Sequence, residues 1–362
     1  MEMDSNNWRQ MHAYSPTCIL GTYVDDLLIA CNDKKLLDEF REKSTKQFQI
    51  THSEGCDDFV GIQIENTEDY FKLHMTKHID GLANKFTHIT RNEKVHTPLP
   101  PNIHFEANAE QADDEDVSLF RSMIGKILYI SLMVRLDAAY AVSVLSQYML
   151  NPGKQHFDAI HHLINYLINT KTIGLEYLKN HSHKTCKHPH TLMGMVDASY
   201  GGHMHTHKSH TGMVHIATNG IIHYRSMAQK TNSTSSSHAE AKAAFSMAKE
   251  TLAIKGFWTE LESNIGHIVP INTASTTILV DNRATVDLFH DPKSTEKSRH
   301  WLLAYTWVKE LQLLGLLKFK WINGKQNLSD LLTKPVSGAV FNELGPLVGD
   351  SSSYHEFIGA QS

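Results

Sequence analysis

The chain has 362 residues, a net charge of −5 and a hydrophobic fraction of 41%, which supports two or three packed cores and argues against a general nucleic-acid coat while leaving room for a local basic track. Its four cysteines, Cys18, Cys31, Cys56 and Cys186, form no CxxC pair, a pattern that argues against a disulfide framework or thiolate zinc site and points to a reducing compartment. No apolar run approaches membrane-spanning length and no signal peptide is visible at MEMDSNNWRQ, so an intracellular protein of the cytoplasm or nucleus, with no membrane contact, is expected.

The first apolar segment, CILGTYVDDLLIAC, has two runs of strand formers around Asp25 and Asp26. The acids should therefore sit at the tip of a hairpin. A plain turn would explain one Asp. Two bare carboxylates side by side repel unless a cation neutralises them, so Asp25 and Asp26 are expected metal ligands. An amphipathic helix follows at Asp33–Phe48, then the strand FVGIQIE and a helix MTKHIDGLANKF over 75–86. Residues 87–117 read as a linker, because Pro98, Pro100 and Pro101 break regular structure and FEANAEQADDED is acidic and poorly apolar. Helical periodicity then returns in LFRSMIGKILYISLMV, DAAYAVSVLSQYML and QHFDAIHHLINYLINT, with Asp137 expected to cap the second helix and Asn151-Pro152-Gly153 separating the second from the third. The short strand IGLEYL closes this block, to which no chemistry is assigned.

From about residue 186 the pattern is strands near 192–196, 211–217 and 220–225, a long helix at 237–262 and a strand at 277–280. Helices at 283–289 and 297–314, a strand at 316–322 and a last helix near 326–333 complete it. That order fits a mixed sheet with helices packed on it. In LMGMVDASYGG the apolar run Leu192–Val196 stops at Asp197, as a buried strand does where it presents a carboxylate. Glu240 in SSSHAEAKAAF, Asp281 in TILVDNRA and Asp330 in QNLSDLLTK likewise fall at element edges or first turns. Asp330 alone is explained by the preference of acids for helix starts. Four such acids on strand, helix, strand and helix can converge to hold two divalent metals roughly 4 Å apart, the arrangement used for phosphodiester cleavage. Ser199, Tyr200, Ser236 and Asn282 lie beside the acids and offer donors for the sugar and phosphate groups of a nucleic acid. Between Lys293 and Lys325 there are seven Lys or Arg and two Glu, a local excess that fits a backbone-contacting face or, more plainly, a solvated helix.

YVDDLLIA, the following helix and FVGIQIE resemble the palm of a copia-type LTR retrotransposon reverse transcriptase, whose YVDD acids bind magnesium. The 75–86 helix is similar to that family's thumb, and FRSMIGKILYISLMVRLDAAYAVSVLSQYMLNPGKQHFDAIHHLINYL to its connection. KSHTGMVHIATNGIIHYRSMAQKTNSTSSSHAEAKAAFSMAKE, LVDNRATVDLF and QNLSDLLTKPV resemble its ribonuclease H segment. The likeness runs over about residues 16–338 of the polyprotein's C-terminal part. It implies an α+β and α/β multidomain fold: a partial palm and thumb at 1–97, an acidic linker at 98–117, a helical connection at 118–185, a ribonuclease H-like mixed sheet flanked by helices at 186–340, and a tail at 341–362.

By the same resemblance Asp197, Glu240, Asp281 and Asp330 are the catalytic acids, holding two Mg2+ ions with Mn2+ as a substitute. Arg299 and His300 join the nucleic-acid contacts, and RNA–DNA hybrids and other polyprotein products are the implied partners. The chain departs from the family at Ser199, Tyr200 and Gly202, where a Trp and a second Asp are usual, and at Ser237-His238-Ala239-Glu240-Ala241, where Thr-Glu-Ala-Glu-Tyr is usual. About two dozen residues precede Asp25, too few for the fingers and a third palm acid, so polymerase function is expected to be lost and hybrid hydrolysis kept. The alternatives are a catalytically inactive nucleic-acid-binding remnant and a His-rich metal-binding protein. The latter would use HSHKTCKHPH (181–190) and HMHTHKSH (203–210), with Cys186, His203, His205 and His207 as zinc ligands.

Overall fold

A computed structural model describes residues 18–52, 55–87, 94–179, 191–202, 207–217, 220–265, 272–290 and 302–349. The chain opens with the expected hairpin. Strands β1 (Cys18–Tyr23) and β2 (Asp26–Cys31) pair antiparallel from Cys18 opposite Cys31 to Tyr23 opposite Asp26. Val24 and Asp25 are thus a two-residue turn, and the β-branched Val24 takes φ 54°, a conformation that tight hairpin turns demand and Val resists. Helix α1 (Lys34–Gln47) starts from Asp33, whose carboxylate accepts from the Lys35 amide at 2.7 Å.

Strands β3 (Asp58–Phe59), β4 (Ile62–Asn66) and β5 (Tyr70–His74) lead into α2 (Thr76–Lys85). After helices α3 (Asp114–Met133), α4 (Leu136–Leu145) and α5 (Lys154–Asn169) the chain returns as β6 (Leu175–Leu178), which pairs with β5 and completes the antiparallel order β3-β4-β5-β6. The segment read as partial palm and thumb and the segment read as connection therefore share one sheet. Their apolar stripes share one core, in which Met75 at the start of α2 and Ile79 and Leu82 within it join Ile124 and Ile127 of α3 and Ile160 and Leu163 of α5.

Two expectations need correction here. The stretch read as a linker is pinned to the body: Leu99 and Phe105 are buried, Asn108 donates to the Pro152 carbonyl at 3.0 Å, and Asn151 donates to the Asn108 and Glu110 carbonyls. Its prolines mark an extended strap rather than a loose tether. Asp137 does not cap α4. It lies inside the first turn, buried against Arg135, because a fully buried guanidinium needs a carboxylate as its counter-ion.

The second sheet carries the candidate site. β7 (Thr191–Ser199), β8 (His210–Ala217) and β9 (Gly220–Ala228) are antiparallel, while β10 (Asn272–Val280) and β11 (Leu317–Trp321) run parallel to β7, giving the order β11-β10-β7-β8-β9. This is a ribonuclease H-like mixed sheet, with β7 at its centre. Both faces are covered, as the near-continuous apolar run of β7 requires. Val196 packs with α6 (Ser236–Ile265) through Ala239, Ala243 and Met247, while Met193 and Met195 join the core of the connection helices. Gly194 permits the close approach of α6, since a Cβ there would meet the Met247 methyl at 1.9 Å. Helices α7 (Arg283–His290) and α8 (Leu302–Leu313) complete that layer.

The last expected helix, near 326–333, is instead a pair of 3-10 turns, Gly324–Gln326 and Leu328–Leu332. Asn327 separates them with extended backbone, and its buried side chain donates to the Val196 carbonyl and accepts from the Ser329 amide. Short helices α9 (Gly338–Leu344) and α10 (Pro346–Gly349) follow, and Phe341, Leu344 and Val348 are buried where a tail was expected. Among the described residues, no helix is long and apolar enough to cross a membrane.

Candidate metal centre

Each acid reaches the site by a different local device. Asp197 follows Val196 near the end of the central strand, two residues before it ends at Ser199. Asp281 directly follows β10, the neighbouring parallel strand, and Gly324 leaves room for it, since a Cβ there would lie 3.2 Å from its Oδ2. Asp330 sits inside the 3-10 turn that Asn327 ties to β7. One carboxylate oxygen from each of Asp197, Asp281 and Asp330 lies within 4.8 Å of the others, and these three are the group of metal-ligating side chains that meet so closely among the described residues. Glu240, on the second turn of α6, stands behind them. It lies outside that mutual distance, but the charges of Asp197 and Asp281 both act on it. The helix starts as expected from the serine run, with Ser235 Oγ accepting from the His238 amide at 3.2 Å.

Crowding of burial and like charge is written in the acidities. Burial first, then the charges of Asp197 and Asp281, push Glu240 up to about 9. Burial and Asp197 push Asp330 up to about 7, and the same two causes raise Asp281. Glu240 Oε2 and Asp330 Oδ1 are buried without a hydrogen-bond partner. Unsatisfied buried carboxylate oxygens are costly, and hard oxygens of this kind suit a small divalent cation. The residues present fit such an ion.

One cation already belongs to the site. Lys334 Nζ lies 3.0 Å from Asp330 Oδ2 and 3.7 Å from Asp197 Oδ2. Burial works against its ammonium, but Asp197 and Asp330 outweigh that and hold it above its ordinary value. Thr333 Oγ1 donates to the same Asp197 oxygen. Sequence reasoning passed over both residues, although the Asp330–Lys334 spacing of four is a readable ion-pair signal.

The expected nucleic-acid contacts are placed unevenly. Ser199 ends β7 half-buried, Tyr200 is half-exposed beside it, and Ser236 is exposed at the start of α6. Asn282 follows Asp281, but its Oδ1 accepts from the Thr285 amide at 3.1 Å and so caps α7. Arg299 and His300 lie outside the described residues, as do His203, His205 and the 181–190 cluster with Cys186. His210 is buried, bonded to Ser226 Oγ and edge-on to Tyr140, which makes it a packed core histidine. A pair that was not foreseen flanks Asp281: the exposed Trp321 donates its indole N–H to the Asp281 carbonyl at 3.0 Å, and Arg283 stacks over the same ring at 4.2 Å. Asp25 and Asp26 are exposed at the hairpin tip, and among the described residues no third ligand joins them.

A stability test follows from the raised acidities. A carboxyl whose folded pKa exceeds its unfolded one stabilises the fold below the unfolded value, and that stability is lost as pH rises through the folded value. For Glu240 the window runs from about 4.5 to about 9. In EDTA at pH 8, Glu240→Gln is expected to be more stable than the parent by on the order of 2 kcal/mol, with the gap closing toward pH 4.5, as read by urea denaturation.

A profile of the family described as reverse transcriptase (RNA-dependent DNA polymerase) matches residues 10–101. The retrovirus-related Pol polyprotein of transposon TNT 1-94 from Nicotiana tabacum is 28% identical over 343 residues, covering 92% of this chain and 24% of its own length. The Pol polyprotein of transposon RE2 from Arabidopsis thaliana is 26% identical over 330 residues, covering 90% and 21%. The chain thus spans about a quarter of the length of the curated relatives it matches. Among solved structures, a foamy viral protease-reverse transcriptase in complex with double-stranded DNA aligns at 12% identity and a TM-score of 0.43, covering 84% of this chain and 46% of its own. Polyproteins match along nine-tenths of its length and a reverse transcriptase profile matches its start, which makes the chain similar to the Pol polyproteins of copia-type retrotransposons.

Proposed function

We propose that this chain hydrolyses the RNA strand of RNA–DNA hybrids in a reaction that depends on divalent cations, Mg2+ or in its place Mn2+. The observation that carries this reading is the meeting of Asp197, Asp281 and Asp330 oxygens within 4.8 Å at the ends of adjacent parallel strands, with Glu240 electrostatically coupled behind them. Two divalent ions in such a centre supply an activated water and a stabilised leaving oxygen. The protein's own part is positional. Asn327 fixes the Asp330 turn against β7, and Thr333 fixes one oxygen of Asp197. Ser199, Tyr200 and Ser236 stand at the rim as donors to sugar and phosphate, and the Arg283–Trp321 stack with Lys320 and Lys325 gives a cationic, aromatic edge for the backbone. The reaction would take place inside the cell, in cytoplasm or nucleus, beside other products of the polyprotein. Incubating the full chain with a hybrid labelled in its RNA strand and Mg2+ tests the reading: shortened RNA is expected, and intact RNA at every cation concentration would overturn it.

Polymerisation is not part of the proposal for this chain alone, because Asp25 and Asp26 stand exposed without a third acid among the described residues. Asp25→Asn with Asp26→Asn is accordingly expected to leave the hybrid-cleavage rate within roughly twofold of the parent, as surface changes remote from a site do. A second reading, a hybrid-binding remnant without turnover, is favoured by one observation, the Lys334 ammonium already placed on two of the acids. It is distinguished by salt-sensitive binding of the hybrid with no product formed.

A further inference from the structure

Lys334 is the feature that the proposed chemistry does not require. Its Nζ contacts Asp330 Oδ2 at 3.0 Å and Asp197 Oδ2 at 3.7 Å, and Thr333, its chain neighbour, donates to that same Asp197 oxygen. Together the two side chains engage one oxygen of each of two acids. The opposite oxygen of Asp330, Oδ1, remains buried with no hydrogen-bond partner, as does Glu240 Oε2. The centre is therefore lopsided: one side carries an ammonium, the other carries unsatisfied oxygens.

Resting on the hydrolytic reading above, we infer that Lys334 is a built-in monovalent cation occupying one of the centre's two cation positions. In the absence of nucleic acid the chain then takes one divalent ion, bound on the side of the unsatisfied oxygens. The second ion gains its position only when Lys334 withdraws, and an incoming phosphate gives the ammonium an alternative anionic partner. The physical basis is competition for the same ligands. Asp197 and Asp330 would both be needed to hold a second divalent ion, and the ammonium already engages one oxygen of each, so the two cations would repel and compete for the same pair of acids. The Lys334 side chain is 44% exposed, but its position four residues after Asp330 and the bond of neighbouring Thr333 to Asp197 keep its ammonium on the acids. Lys334 acts here as a positioning residue that sets how many metal ions the acids accept.

Titration of Mn2+ into the full chain without nucleic acid, read by calorimetry and by the electron paramagnetic resonance of free Mn2+, tests this directly. The parent is expected to bind one Mn2+ per chain in the centre. Lys334→Met, which keeps the stem and removes the charge, is expected to bind two, or one at least roughly tenfold more tightly. Lys334→Arg, which keeps the charge, should bind one. Two ions in the parent, or a Lys334→Met variant with unchanged number and affinity, would overturn the inference while leaving the hydrolytic reading intact if the parent still cuts hybrid. Absence of Mn2+ binding in every protein would overturn both. Circular dichroism of each variant separates a lost fold from a changed count, and a structural role alone would shift stability without adding a second ion.

Discussion

Asp197→Asn is expected to reduce cleavage of the RNA strand of a hybrid by roughly 10³-fold or more, about 4 kcal/mol of transition-state stabilisation. Asp197 is the acid on which the others converge. Its charge raises Glu240, Asp281 and Asp330 alike, and it shares the tight carboxylate set with the latter two. Asparagine keeps the shape and an acceptor for Thr333, so the fold should survive and the loss should be one of cation binding and catalysis. Removing one negative charge from a crowded buried cluster should even raise stability in EDTA, the usual relation between a strained functional site and the fold that carries it. Rates measured on labelled hybrid, with urea denaturation of the same protein, check both halves. Unchanged cleavage in Asp197→Asn would remove it from the catalytic set.

The second large effect lies away from the acids. Arg135 is fully buried, and its guanidinium donates to Asp137 at 2.9 and 2.7 Å and to the Thr170 carbonyl at 3.1 Å, while Tyr166 donates its hydroxyl to the same carboxylate. Burial opposes the charge on Asp137, but Arg135 outweighs it and holds the carboxyl below its usual range. Asp137→Ala strands the guanidinium without its counter-ion and is expected to cost 3–5 kcal/mol, with roughly that range typical of half-removed buried pairs. Changing both, Arg135→Met with Asp137→Leu, is expected to cost far less, because neither charge is then left unpaired. Denaturant midpoints of the single and double variants decide this. The consequence reaches the centre, since α4 packs against the 3-10 turn that carries Asp330. Equal destabilisation by the single and double changes would show that packing volume, and not charge pairing, dominates there.

How much of this was readable from residues alone depended on the range of the interaction. Asp197 and Asp281 were legible because an apolar run ending at a carboxylate is a local pattern, though β7 runs on to Ser199, and the succession of strands and helices in the second sheet's segment followed from spacing. Glu240 was found through the serine run that starts α6. Pairing of β6 with β5 was not legible, because about a hundred residues and four α-helices lie between them. The strap over 94–113 was misread for a related reason: its buried Leu99 and Phe105 are isolated apolar residues with no period, and their partners lie elsewhere in the chain. The final helix failed because Asn327 serves β7 instead of a helical ladder, a tertiary demand overriding a helical reading. Lys334 stood in plain view beside Asp330. Its importance appears only when Asp197, 137 positions earlier, arrives on its other side.

Holding divalent cations is the property on which the whole account turns, and thermal unfolding at pH 8 without nucleic acid measures it most directly. With Glu240 and Asp330 pushed up to about 9 and about 7 in the cation-free protein, folding at that pH opposes the ionisation of buried acids. Millimolar Mg2+ or Mn2+ should relieve this and raise the midpoint by a few degrees in the parent, with a smaller rise in Asp197→Asn. A midpoint identical in EDTA and in saturating cation, for the parent protein, would contradict the central claim.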